Sequence, residues 1–165
     1  KHFDDTTTGV VFILAAPTAL CPHVEWALAS VLDASTAMRW EDQPAQPGAR
    51  KAIVDWIGPV GTGARLADAL AKWSMLAFEV TEDPSDLVDG ERFSHTPELG
   101  MWRGQTGASG DVMISENRLR HLMAGGPAAF HSAVDAELGT AWDEALEPLR
   151  GHPAAAEVTW LSRVG

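Results

Sequence analysis

Between Val10 and Thr81 the apolar residues change period in a fixed order, and that order limits the chain to a few topologies. Residues 10–15 are apolar on both faces and bounded by Thr6-Thr7-Thr8-Gly9 and Pro17, the pattern of a fully buried strand. Pro22 suits a first helical turn, and Val24, Leu28, Val31 and Leu32 fall on one face of the helix it opens. Residues 38–41 and 52–57 alternate as strands on either side of a Pro- and Gly-containing loop at residues 43–48. After the break at residues 58–63, Leu66, Leu70 and Trp73 mark a second helix, and residues 75–81 return to a strand with Leu76, Phe78 and Val80 on one face. The order is β-α-β-β-α-β, that of a ferredoxin-like or split βαβ unit, with both helices on one face of the sheet when crossovers are right-handed.

The second half is less periodic. Residues 79–91 hold six acids and no base, together with Pro84 and Gly90, and most of this stretch is expected to be a solvated loop. Residues 92–95, 99–103 and 112–115 read as short meander strands. Ser115 caps a helix carrying Leu119, Leu122 and Met123, and Gly125-Gly126-Pro127 restarts the chain into another. Phe130, Val134, Leu138, Trp142, Ala145 and Leu149 share a face, divided at Gly139-Thr140 with Thr140 as the second cap, and residues 158–161 close the chain as a strand. The expected architecture is α+β: a mixed, mainly antiparallel sheet with helices packed on it. It is expected to form one domain over residues 1–165, with two lobes at 1–90 and 91–165 as a variant.

Charge narrows the function classes. Twenty-three Asp and Glu against twelve Lys and Arg leave a net charge of −11, and the densest basic pairs, Arg50-Lys51 and Arg118/Arg120, stand in acidic surroundings. Tracking a phosphate backbone needs a basic stripe, so nucleic acid and anionic membranes are disfavoured as partners. The one cysteine, Cys21, excludes an internal disulfide and multi-cysteine zinc sites. A reduced, cytoplasmic setting is expected, and the apolar run at residues 9–17 is too short to span a bilayer and follows acids, where a signal peptide carries bases.

Several stretches resemble one family. They are the run from Cys21 to Trp26, the loop from Gly58 to Leu66, Glu79-Val80-Thr81-Glu82-Asp83-Pro84, Phe93-Ser94-His95-Thr96-Pro97, and the run from Gly139 to Leu146. Together they are similar to the actinobacterial domain-of-unknown-function family 3145 over nearly the whole chain. The resemblance implies a cytoplasmic single-domain protein and a link to acyl-chain metabolism. It supplies no assigned activity and no catalytic residues to carry over.

The candidate sites are local. In the loop at residues 58–65, the backbone N–H groups of Gly61, Thr62 and Gly63 can cradle an anion at a helix N-terminus, with Arg65 adding charge and Trp56 or Trp102 an apolar wall. The loop lacks the Lys-Ser/Thr of a phosphate-binding P-loop and the third glycine of the dinucleotide fingerprint; the competing reading is a tight strand-to-helix turn with Thr62 as N-cap. Cys21, His23 and Glu25 do not share one helical face, Asp83, Asp86, Asp89 and Glu91 lack calcium-loop spacing, and no metal or cofactor motif is evident. His95 is the histidine placed best for acid–base work, with a satisfied turn histidine as the alternative. Asp143, Glu144 and Glu147 form the acidic side of the last helix, which reads as a partner-docking edge or a solvated face. No nucleophile, base and stabiliser assemble from compact spacing. A non-catalytic accessory domain that recognises another protein is therefore the leading reading, followed by a binder of an anionic small molecule and then by an enzyme.

Overall fold

A computed structural model describes residues 5–35 and 37–151. In chain order the elements are β1 (Thr6–Pro17), α1 (Cys21–Leu32), β2 (Glu41–Asp42), β3 (Ala49–Pro59), α2 (Thr62–Leu70), β4 (Ala77–Glu82), β5 (Gly90–Thr96), β6 (Gly100–Thr106), α3 (Glu116–Ala124), α4 (Pro127–Leu138) and α5 (Thr140–Leu146). The six strands form one sheet in the order β2-β3-β1-β4-β5-β6, and every ladder is antiparallel. The expected mixed sheet is thus corrected: each helical crossover skips one strand, so the strand placed between is antiparallel to both of its neighbours.

From Val10 to Ala16 β1 is apolar because both of its faces are covered. Val11 and Ile13 face α1 and α2, in a core with Val24, Leu28, Trp56, Leu66, Leu70, Phe78, Val80 and Phe93. Leu14 and Ala15 meet Leu146, Trp142 and Leu149 on the other side, together with Ala49 and Ala77. Gly9 is the point of closest approach on β1, where a Cβ would collide with the Thr81 carbonyl and the Trp56 indole. A register shift between Ile13 and Ala16 interrupts the ladder with β3, and the buried Gln43 side chain donates from Nε2 to the Leu14 carbonyl (2.6 Å) and the Leu149 carbonyl (2.9 Å). One amide thus ties the bulge in β1 to the chain beyond α5.

Other boundaries move for local reasons. Residues 38–41 contribute only Glu41 to β2, and Val112 makes a single bridge to Thr106 where a strand at 112–115 was expected. Ser115 caps α3 as expected, accepting from the Arg118 N–H. α2 and α5 start instead at glycines with positive φ, Gly61 (96°) and Gly139 (69°). Thr62 becomes the first helical residue of α2 and donates to the Pro59 carbonyl (2.6 Å), while Thr140 donates to Asp135 (3.2 Å). The strand expected at residues 158–161, with Trp160, lies outside the described residues.

Candidate functional site

The glycine loop does form an anion cradle, and a carboxylate of the chain itself occupies it. Glu82, 5% exposed at the end of β4, accepts from the Gly63 N–H (2.8 Å) and from the Gly61 N–H (3.1 and 3.2 Å to its two oxygens). An acid at a helix N-terminus satisfies two otherwise orphaned donors and opposes the positive end of the helix dipole. An external anion would have to displace a buried carboxylate. Arg65 is exposed, and Thr62 is spent on Pro59.

The two tryptophans proposed as a wall are on opposite sides of the sheet. Trp56 belongs to the core under α1 and α2, whereas Trp102 packs against Gly139 at the α4–α5 junction and carries the Arg92 guanidinium 5.5 Å from its ring centre. His95 is a core residue: its ring stacks on Phe78 (5.1 Å), and Nδ1 lies 2.7 Å from the Leu76 carbonyl, so Nδ1 carries the proton and donates. Cys21 is buried, and burial pushes its thiol up, away from a reactive thiolate. Glu25 instead accepts from the Trp40 indole (2.9 Å).

The acidic edge of α5 and the turn after it is tied to one cation. Arg150 donates to both oxygens of Glu79 (2.8 and 3.0 Å), to Asp143 (2.8 Å) and to Glu147 (3.0 Å), leaving Glu144 as the member of the trio outside this network. Burial opposes the charge on Arg150 and is the largest single influence, yet the hydrogen bonds from Glu79 and Asp143 outweigh it and hold the guanidinium well above its ordinary value.

Beside this network is a cleft that no contiguous motif announces. It has a volume of about 480 Å³ and opens on the second sheet face, opposite α1 and α2. Phe12, Leu14, Ile53 and Leu149 give it apolar walls, and Arg39, Lys51, Arg92 and Arg150 stand around them with Glu41 and Glu79. Among the described residues Arg39 and Lys51 have no acidic group within ion-pair distance. Arg92 reaches Asp143 only at 4.0 Å, and its buried Nε has no hydrogen-bond partner. On a chain of net charge −11 this is a local reversal of sign.

A family model described as a protein of unknown function, DUF3145, matches residues 10–163. The chain belongs to the DUF3145 family. Neither the curated proteins nor the solved structures give a match.

The chemistry open to this DUF3145 domain follows from what is already engaged. Ser94 donates to Glu79 (2.9 Å), whose two oxygens are held by Arg150, so neither group is free to move a proton in the cleft. Among the described residues no cluster of three or more His, Cys, Asp or Glu is placed to hold a metal ion, and no helix is long and apolar enough to cross a membrane. The cleft offers an apolar surface and unpaired cations, which suit binding and orientation.

Proposed function

We propose that the domain binds an amphipathic anion, a carboxylate or phosphate carried on an apolar body, in the cleft on the second sheet face. The observation that carries this reading is the convergence around Phe12, Leu14 and Ile53 of Arg39 and Lys51, which have no acidic partner among the described residues, and of Arg92, whose one ion pair, to Asp143, is 4.0 Å long and whose buried Nε has no hydrogen-bond partner. The volume falls within the range of small-molecule sites, about 300–1,000 Å³. A few cations at the edge of an apolar cleft fix an anionic head while the body is desolvated. The site therefore differs from the glycine loop expected from the sequence, although the ligand class is the same.

Recognition of a protein through Asp143, Glu144 and Glu147 has weaker support, because Arg150 engages two of the three. A single domain over the matched residues is supported by Leu146, from the second half, packing on Leu14 and Ala15 of the first. The ferredoxin-like reading of the first half is supported by the order β2-β3-β1-β4 within the sheet.

Titration calorimetry with octyl phosphate and 1-naphthyl phosphate, and with octanol as the uncharged control, tests the proposal. Saturable binding of a phosphate but not of octanol is expected, weakened by about tenfold or more, roughly 1.4 kcal/mol, in the Arg39→Glu/Lys51→Glu variant. Equal binding by the variant, or no binding of either phosphate, overturns it.

A further inference from the structure

We infer, on the ligand reading above, that the anion bound in the cleft is two-ended: an apolar chain with an acidic group at each end, one met by Arg39 and Lys51 and the other by Arg92. Across the sheet, Arg92 is opposite Thr81, Thr81 opposite Val10 and Val10 opposite Asp55, so Arg92 occupies the row of Asp55 three strands away. Lys51 is four residues before Asp55, and its ladder partner Glu41 follows Arg39 by two residues. With strands about 4.8 Å apart and about 3.4 Å of rise per residue, the Cα atoms of Lys51 and Arg92 are on the order of 20 Å apart. The row of Ile53, Phe12 and Glu79 runs between them. A lone carboxylate or phosphate does not bridge that gap, whereas a chain lying over Ile53 and Phe12 does.

Each end has a charge or a donor left unmet. Among the described residues Arg39 and Lys51 have no acidic group within ion-pair distance, and Glu41, across the ladder from Lys51, is exposed and pairs with neither. At the other end Arg92 is fixed in place. Its guanidinium stands 5.5 Å from the centre of the Trp102 ring on β6, the strand on the far side from Lys51. That ring has room because Gly104, opposite Arg92 in the ladder, and Gly139 have no Cβ, which would come within 2.4 and 2.7 Å of the indole. The buried Nε–H of Arg92 still lacks an acceptor, which a ligand oxygen supplies. Asp143 reaches Arg92 only at 4.0 Å and is engaged by Arg150 at 2.8 Å. Between the two ends Glu79 and Arg150 neutralise one another, so the middle of the cleft offers no unpaired charge and suits a methylene chain.

The test titrates the full chain with octanedioate, decanedioate, dodecanedioate and tetradecanedioate, each beside its monomethyl ester, in which one end is uncharged. Two groups joined by a chain gain most at the length that spans both sites and gain nothing when the chain is too short. At the best length the diacid is expected to bind about tenfold or more tightly than its ester, with the advantage falling off at shorter lengths. Arg39→Gln/Lys51→Gln and Arg92→Gln are each expected to bring diacid and ester to within about twofold of one another. The readout is a ratio within one variant, so a loss of stability in Arg92→Gln, which gives up the Trp102 contact, does not imitate it, and the Arg39/Lys51 variant leaves that contact intact. Equal binding of diacid and ester at every length overturns the two-ended ligand while the single-ended reading stands. Binding of neither overturns both. A diacid advantage that survives in both variants overturns the assignment of the ends to these cations.

Discussion

Replacing Arg150 with alanine is expected to destabilise the fold by about 3–5 kcal/mol, the cost of leaving a buried carboxylate without its cation. Arg150 and Glu79 have side chains only 19% and 9% exposed and meet through two parallel hydrogen bonds, and without Arg150 the Glu79 carboxylate keeps only the Ser94 hydroxyl. The other two contacts of Arg150 reach acids that are 45% and 51% exposed, where water screens the pair. Asp143→Ala and Glu147→Ala are therefore expected to cost about 1 kcal/mol or less each. Urea unfolding at constant m-value measures all three. The double variant Arg150→Met/Glu79→Leu is expected to recover most of the loss, because removing both charges abolishes the desolvation penalty together with the attraction. A cost below about 1 kcal/mol for Arg150→Ala would show that the network is too wet to hold the C-terminal turn against the sheet.

What the sequence disclosed depended on how far apart the cooperating residues lie. Strand and helix order in the first half was legible because each element writes its burial into its own residues: Val11 and Ile13 alternate with Phe12 and Leu14, and Val24 and Leu28 repeat at helical spacing. Two cap positions were misplaced by one residue, since Thr62 and Thr140 have the side chain of an N-cap but Gly61 and Gly139 have the backbone freedom that these entries use. The strand expected at 112–115 failed because its residues find only one bridge beyond β6.

The site was less legible for the same reason. Arg39, Lys51, Arg92 and Arg150 come from four separate segments, and only the sheet order β3-β1-β4-β5 brings their faces together. The acidic side of α5 was visible, whereas its cation, Arg150, lies beyond the helix and past the element boundary. A signal did exist: one arginine following a run of acids at Asp143, Glu144 and Glu147. Choosing between a solvated face and an internal network required knowing that Glu79 lay beneath it.

The glycine loop shows how a partner distant in sequence stays hidden, because Glu82 takes the N–H groups of Gly61 and Gly63, and Glu82→Ala is expected to expose its role. Removing this carboxylate leaves the Gly61 and Gly63 N–H groups without an acceptor at a largely buried helix start, a loss of about 2–3 kcal/mol. Glu82→Gln, which keeps one acceptor oxygen in the same place, is expected to lose less. The alanine variant should then bind what the wild-type chain refuses, because the cradle is intact and its internal anion is gone. Formate at ten times its dissociation constant would return about 1.4 kcal/mol. For a chain of this size that corresponds to a rise in Tm of about 3–6 °C, absent from wild type at the same ionic strength. Sodium chloride at matched concentration controls for screening. An equal response of wild type and Glu82→Ala to formate would mean that Glu82 does not block the cradle, and the loop would again be open to an external anion.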